Sequence, residues 1–326
     1  MTAQIRNLVE CALSWHRQGR QVAIATVVET WGSAPRRPGS QLVIDQDGRI
    51  EGSVSGGCVE AAVIIEAIEA IAEGAQRLLE YGVSDGDAFA VGLACGGTIK
   101  ILVEPVETVL PIALLEQWVE AANNARPIGY VTDIQDGGSY LVGADAYPAR
   151  FQLDQSGLEE DGRTFVAIHN PPVRLIIVGA VHIAQPLVAM AQHCGFAPTV
   201  IDPRAAFATA ERFPDIPLSL DWPDQALREL RLATRCAVVT LTHDPKIDDP
   251  AITAALDSPA FYIGCLGSKR THAGRVQRLT EAGYSKENIA RIHGPVGLDL
   301  GGRQPQEIAL SILAQVTQVL RKGAVR

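Results

Sequence analysis

The chain has 326 residues, of which 47% are hydrophobic and 20% charged, the balance of a folded globular protein with room for two domains. Its net charge of −9 at pH 7 excludes nucleic acid as the expected partner, because phosphate contacts need a basic surface. No apolar run reaches the roughly 18 residues that a membrane span requires, and the polar, amphipathic start lacks a signal peptide's apolar core. Six cysteines are scattered without a CxxC pair, which speaks against a structural zinc site or a dithiol redox motif and predicts free thiols in a reducing, cytoplasmic setting.

Residues 4–18 predict a helix: Ile5, Leu8, Val9, Ala12 and Leu13 recur at helical spacing before Gly19 stops it. The β-branched run 21–30 predicts a strand, followed by a loop punctuated by Gly and Pro over residues 31–40. A hairpin follows, with 41–45 and 49–53 turning about Asp47-Gly48. The stretch Gly52-Ser53-Val54-Ser55-Gly56-Gly57-Cys58-Val59-Glu60 then leads into a helix that ends at Gly74, with Ile64, Ile68 and Ile71 on its expected buried face and Glu66, Glu69 and Glu73 in water. Residues 98–103 predict a strand, 112–122 a helix, and 128–134 with 139–142 a hairpin about Asp136-Gly137-Gly138. Residues 151–162 read as irregular and 164–169 as a short strand. Asn170-Pro171-Pro172 is the expected boundary, giving domains over 1–170 and 171–326, since a proline pair continues neither element.

Beyond it the pattern changes. Leu175-Ile176-Ile177-Val178 is an unbroken apolar run, as suits a strand buried on both faces. Strands over 198–201, 236–241, 261–263 and 289–292 alternate with helices to Cys194, over 224–234 and 250–256, after Arg270, and over 305–320. That alternation predicts an α/β fold in which a mixed α/β domain precedes a Rossmann-like, doubly wound parallel sheet.

Two stretches carry candidate chemistry in the first half. Gly56-Gly57-Cys58 and Cys95-Gly96-Gly97 each put a thiol beside a glycine pair, where the backbone can approach a ligand closely. At a helix entry, free N–H groups and the macrodipole favour a thiolate. The competing reading is a small buried residue under a turn. Glu60 belongs to the inward stripe of its helix, so it either caps the helix start or faces a ligand cavity. Arg36 and Arg37, in the Pro-Gly loop, offer fixed cations for an anion.

In the second half, Gly179 follows a strand and Asp202 lies 23 positions later, as in a dinucleotide fingerprint. The second glycine of that fingerprint is replaced by Val181, whose branched side chain crowds a pyrophosphate. His182 at the helix start and His243 at a strand end lie on the same predicted sheet edge. Ser268 predicts a helix cap, and with Lys269 and Arg270 after it an anion could dock there.

The order of these stretches resembles the XdhC/CoxI family, the accessory proteins of xanthine dehydrogenase and related molybdenum hydroxylases. The resemblance is carried by Glu29-Thr30-Trp31-Gly32-Ser33-Ala34-Pro35-Arg36-Arg37-Pro38-Gly39, by the Cys58 and Cys95 stretches, by Val178 to Ala184, by Tyr262 to Arg270 and by Gly294 to Gly301. It implies a homodimeric, non-catalytic insertion factor. Such a chaperone binds the molybdenum cofactor, as molybdopterin or its cytosine dinucleotide, and supports its sulfuration with a cysteine desulfurase. It then delivers the cofactor to apo xanthine dehydrogenase or a related hydroxylase. Cys58 and Cys95 would face the molybdenum or its incoming sulfur, with Arg36 and Arg37 on the phosphate. Glu60 and the paired glycines Gly56, Gly57, Gly96 and Gly97 would complete that site, while Gly179, His182, Asp202 and His243 would serve the second domain. Two other readings stand beside it: an NAD(P)-dependent oxidoreductase with His243 as proton donor, and a scaffold bridging desulfurase and hydroxylase without touching the cofactor.

Overall fold

The computed structural model describes residues 8–32, 36–82 and 97–322. The chain forms two compact units, residues 1–171 and 172–326. Among the described residues no helix is long and apolar enough to cross a membrane.

The first unit opens with α1 (Leu8–Arg17), β1 (Val22–Trp31), β2 (Gln41–Asp45), β3 (Ile50–Gly52), α2 (Glu60–Glu73), β4 (Arg77–Tyr81) and β5 (Thr98–Pro105). The five strands make one antiparallel sheet in the order β3-β2-β1-β5-β4. β1 is buried from Val22 to Val28, apolar apart from Thr26, because both faces of the sheet are covered. One face packs Ala23, Ala25, Leu42 and Ile101 against Val63, Ala67 and Ala70 of α2. The other packs Ile24, Val28 and Leu102 against α1 and the elements that follow. These are α3 (Ile112–Asn123), β6 (Ile128–Asp133), β7 (Ser139–Val142), α4 (Pro148–Leu153), β8 (Gly157–Leu158) and β9 (Thr164–His169), whose strands form a second antiparallel sheet, β7-β6-β9-β8.

A buried polar knot lies in this core. Glu104, 2% exposed, accepts from the Tyr130 hydroxyl at 2.5 Å and from Thr132 Oγ1 at 3.2 Å. Burial outweighs both hydrogen bonds and pushes the Glu104 carboxyl up to about 7.

The second unit alternates strictly: β10 (Arg174–Val178), α5 (Ala184–His193), β11 (Ala197–Ile201), β12 (Leu218–Ser219), α6 (Pro223–Glu229), β13 (Cys236–Thr240), α7 (Pro245–Leu256), β14 (Tyr262–Cys265), α8 (Lys269–Glu281), α9 (Lys286–Ile289), β15 (Ile292–His293) and α10 (Pro305–Lys322). All its strands are parallel, in the order β12-β11-β10-β13-β14-β15. Numbered within the unit this is 3-2-1-4-5-6, the Rossmann order, whose direction reverses between β10 and β13. The period-2 alternation of β10 sends Leu175 and Ile177 to the α5/α10 face and Ile176 and Val178 to the α6/α7 face.

Several expectations need correction. The buried stripe of α2 is Val63, Ala67, Ala70 and Ile71; Ile64 and Ile68 are only half-buried, so the helix is turned from the expected face. Glu66, Glu69 and Glu73 do face outward, where all three converge on Arg77 at 2.6, 2.7 and 2.8 Å. Residues 151–162 are not wholly irregular, since α4 and β8 overlap them. β4, β12 and α9 escape the pattern reading. α6 stops at Glu229, five residues before the expected end, and Arg231 takes a left-handed φ of 46° just beyond it. α7 starts at Pro245, capped by Asp244 accepting from Lys246 N, so Pro250 sits inside the helix and not at its start. The last strand lies at Ile292–His293, because Ile289 belongs to α9.

Candidate functional site

The antiparallel register fixes where the motif stretches emerge. β1 ends beside the start of β5, with Trp31 opposite Thr98, and Gly52 at the end of β3 lies opposite Leu42 near the start of β2. The chain leaving β1 after Trp31, the loop 53–59 and the chain entering β5 at Gly97 therefore lie at one edge of the sheet. α2 begins on that edge too. Cys95 and Gly96 lie outside the described residues, as do Ser33, Ala34 and Pro35; Gly97 is described and is buried.

The loop before α2 is organised by the first residue of that helix. Glu60 Oε1 accepts from Ser53 Oγ at 2.8 Å and from the amides of Val54, Ser55 and Gly56 at 3.3, 2.9 and 3.0 Å. Its Oε2 accepts from Gly57 N at 2.8 Å and from Ser55 Oγ. The chain thus wraps its own carboxylate, in the way a nest of successive amides wraps an anion. Both glycines sit at positive φ, 78° and 114°, in conformations that a side chain resists. Burial raises the Glu60 carboxyl, but the Ser55 and Ser53 hydrogen bonds outweigh it and bring it down to about 2. Glu60 does not cap the amides of its own helix, which has no side-chain cap; its oxygens are filled instead by donors of residues 53–57 in the loop ahead. The same bonds occupy the amides of residues 54–57 in the loop that leads into the helix.

Cys58 crosses the top of this loop. Its thiol is free and exposed, flanked by exposed Gly56 and Gly57 and by buried Val59. Arg36, from the Pro-Gly loop, reaches the same stretch: its Nε donates to Ser53 O at 3.3 Å. Arg37 is exposed, with its carbonyl accepting from Ser40 N. Sequence reasoning passes over Trp31 as a site residue. It is 46% exposed at the same edge, with the Lys100 ammonium 4.8 Å from its ring centroid and Lys100 also 3.2 Å from Glu29. A large aromatic left half in water beside a glycine is the signal available. Among the described residues no group of three His, Cys, Asp or Glu side chains is placed to hold a metal ion.

In the second unit, the loops after β10, β11 and β13 meet at the carboxyl edge of the sheet. Gly179 has φ 109°, and a Cβ there would stand 2.6 Å from Thr242 Cγ2, so only glycine lets the two loops touch. Asp202 is fully buried and spends both oxygens inside the chain. Its Oδ2 accepts from Ala180 N at 2.8 Å and Arg204 Nη2 at 2.7 Å, and its Oδ1 from Arg204 N and Nε at 3.0 and 2.9 Å. Burial opposes ionisation of Asp202, and the Arg204 bonds win and lower it. The acid expected on a ribose is instead the clasp between two loops. Arg212 Nη1 donates to Ala180 O at 2.7 Å, so the turn residue is pinned from both sides. His182 and His243 are exposed, the latter at φ 62° with its amide donating to Asp248. Val181 is half-buried where a nucleotide-binding turn carries glycine.

Comparison with known proteins follows the same division. Residues 15–82 match the model of the XdhC and CoxI family, and residues 175–316 that of the XdhC Rossmann domain. The chain is 31% identical to the molybdenum cofactor insertion chaperone PaoD of Escherichia coli K12, over 98% of its own length and 90% of that protein's. It is 29% identical to a Bacillus subtilis 168 protein whose name makes it a probable xanthine dehydrogenase component, over 94% and 95% of the two chains. A crystal structure described as a xanthine dehydrogenase from Bacillus halodurans matches with a TM-score of 0.75 at 27% identity, covering 96% of each chain. With a wrapped Gly-Gly-Cys loop ahead of α2 and a Rossmann-ordered second unit behind it, the chain belongs to the XdhC/CoxI family.

Proposed function

We propose that this protein is an accessory factor that carries the molybdenum cofactor as cargo and hands it to apo xanthine dehydrogenase or a related molybdenum hydroxylase. It acts as a homodimer in the cytoplasm, and a cysteine desulfurase supplies the terminal sulfur while the cofactor is held. The observation that carries this reading is the exposed Cys58 thiol on a loop whose shape is fixed by Glu60. It shares one sheet edge with Arg36, Trp31 and the glycine that enters β5.

The chemistry matches the cargo. A thiolate suits a soft, sulfur-bound metal, and Cys95 adds a second in this reading. Guanidinium groups suit a phosphate, and this task falls to Arg36 and Arg37 because Glu60 has taken the amides of residues 54–57. The half-exposed face of Trp31 offers stacking to a flat pterin. The names of the Escherichia coli and Bacillus subtilis relatives support a role of this kind.

The test is cofactor retention. Protein loaded with the cofactor is desalted, and molybdenum and pterin fluorescence are measured on the same fraction. Cys58→Ala is expected to lose roughly tenfold in affinity with an unchanged circular dichroism spectrum. Retention equal to wild type would remove Cys58 from the site.

A further inference from the structure

A second cluster of donors lies in residues 172–326. α8 starts at Lys269 with Ser268 as its cap, Ser268 Oγ accepting from Thr271 N at 3.1 Å. A helix start favours acids, because its free amides and macrodipole present positive charge. The first turn of α8 carries none. It carries Lys269 and Arg270 instead, both exposed and neither paired with a carboxylate among the described residues. Cations on cations are unfavourable unless an anion joins them.

Arg275 is the independent observation. It lies two turns into α8, yet is only 2% exposed. Helical side chains lean toward the amino terminus, and this one reaches back to the loop ahead of the cap, where its Nη2 donates to Leu266 O at 3.2 Å. Its Nε and Nη1 have no hydrogen-bond partner among the described residues. Asp248, the buried acid in electrostatic range, makes no ion pair with it and accepts from Thr242 N and Oγ1 and His243 N. A buried guanidinium with open donors is rare, since desolvating the charge costs far more than one carbonyl returns. The head sits just past Cys265, the last residue of β14, at the carboxyl edge where open α/β sheets take their ligands.

We propose that the amino-terminal end of α8, with Lys269, Arg270 and Arg275, is a phosphate-binding site. It takes the phosphate or pyrophosphate group of a nucleotide-type ligand. The site does not depend on the Cys58 reading. It also differs from the Gly179 turn, whose Ala180 amide is already taken by Asp202.

Isothermal titration calorimetry of the full chain at low salt tests this, with pyrophosphate, CDP and NADPH as probes. Pyrophosphate is expected to bind the wild type. The surface pair Lys269→Gln with Arg270→Gln is expected to weaken it roughly tenfold, Arg275→Met to abolish it, and Cys58→Ala to leave it unchanged. Tighter binding of CDP or NADPH than of pyrophosphate assigns a nucleotide as the source, and equal affinities assign the bare oxyanion; both support a phosphate site. The surface pair keeps the test decisive if Arg275→Met does not fold. Absence of binding at millimolar pyrophosphate, or undiminished affinity in the surface pair, overturns the proposal.

Discussion

Replacing Glu60 by glutamine keeps the length of the side chain and removes its charge. The six hydrogen bonds onto that carboxylate, four to Oε1 and two to Oε2, are all donated by the chain. An amide answers with one oxygen and an NH2 group that faces donors head-on. The fall of the carboxyl from 4.5 to about 2 sets an upper bound of about 3 kcal/mol on the preference for the ionised loop, and solvent screening of this part-exposed group reduces it to about 1–2 kcal/mol. Because the folded value is depressed, that stabilisation is complete above the unfolded value near 4.5 and drains away as pH falls toward 2. Urea unfolding followed by tryptophan emission reads it, since Trp15, Trp31 and Trp118 lie in the first unit. Because Glu60 is only part-buried and solvent screens part of this preference, Glu60→Gln should unfold about 1–2 kcal/mol more easily than wild type at pH 7, with the gap shrinking by more than half at pH 3. A gap of the same size at both pH values would refute the carboxylate as the loop's anchor.

Glu104 predicts the opposite slope in a separate window. Its folded value is raised to about 7, so the fold gains from the protonated form and loses about 3 kcal/mol as pH rises from 4.5 to 7. Glu104→Gln should flatten the stability profile there, and a slope that survives the substitution argues against Glu104 as its source. At the loop contact of the second unit, Gly179→Ala places a Cβ against Thr242 Cγ2 at a φ of 109° and should cost about 1–3 kcal/mol. Adding Thr242→Ser removes the facing methyl and should recover part of the loss in thermal unfolding; no recovery would mean the backbone conformation alone sets the cost.

Elements with a strong internal period are legible in the sequence. The apolar runs of β10 and β13 suit only strands covered on both sides, and the Rossmann alternation follows from them. β4 is not, because Arg77-Leu78-Leu79-Glu80-Tyr81 puts its two leucines side by side, and an edge strand is held by its neighbour β5 more than by its own pattern. The start of α7 is misread because Pro250 looks like a helix entrance, while Asp244 and Pro245 supply the actual one. At the candidate site, the glycine-flanked cysteine and the nearby arginine are visible. The work of Glu60 is not, because its partners lie three to seven residues upstream in a loop that folds only once the helix gives it a carboxylate. The clasp of Asp202 on Ala180 and Arg204 is hidden likewise: the spacing marks an acid at the right place, and only packing reveals that its valences are full.

Under the proposed function, the wrapped carboxylate has a bearing on how cargo would be exchanged. Loops that cradle a phosphate with bare amides tend to slacken when it departs, because their donors are left facing nothing. Here the counter-anion is covalently part of the chain, so the turn beneath Cys58 keeps its curvature whether the seat above it is filled or vacant. In the proposed carrier role, loading and unloading would then act on side chains at the rim, and an emptied carrier would be ready for the next passenger without refolding.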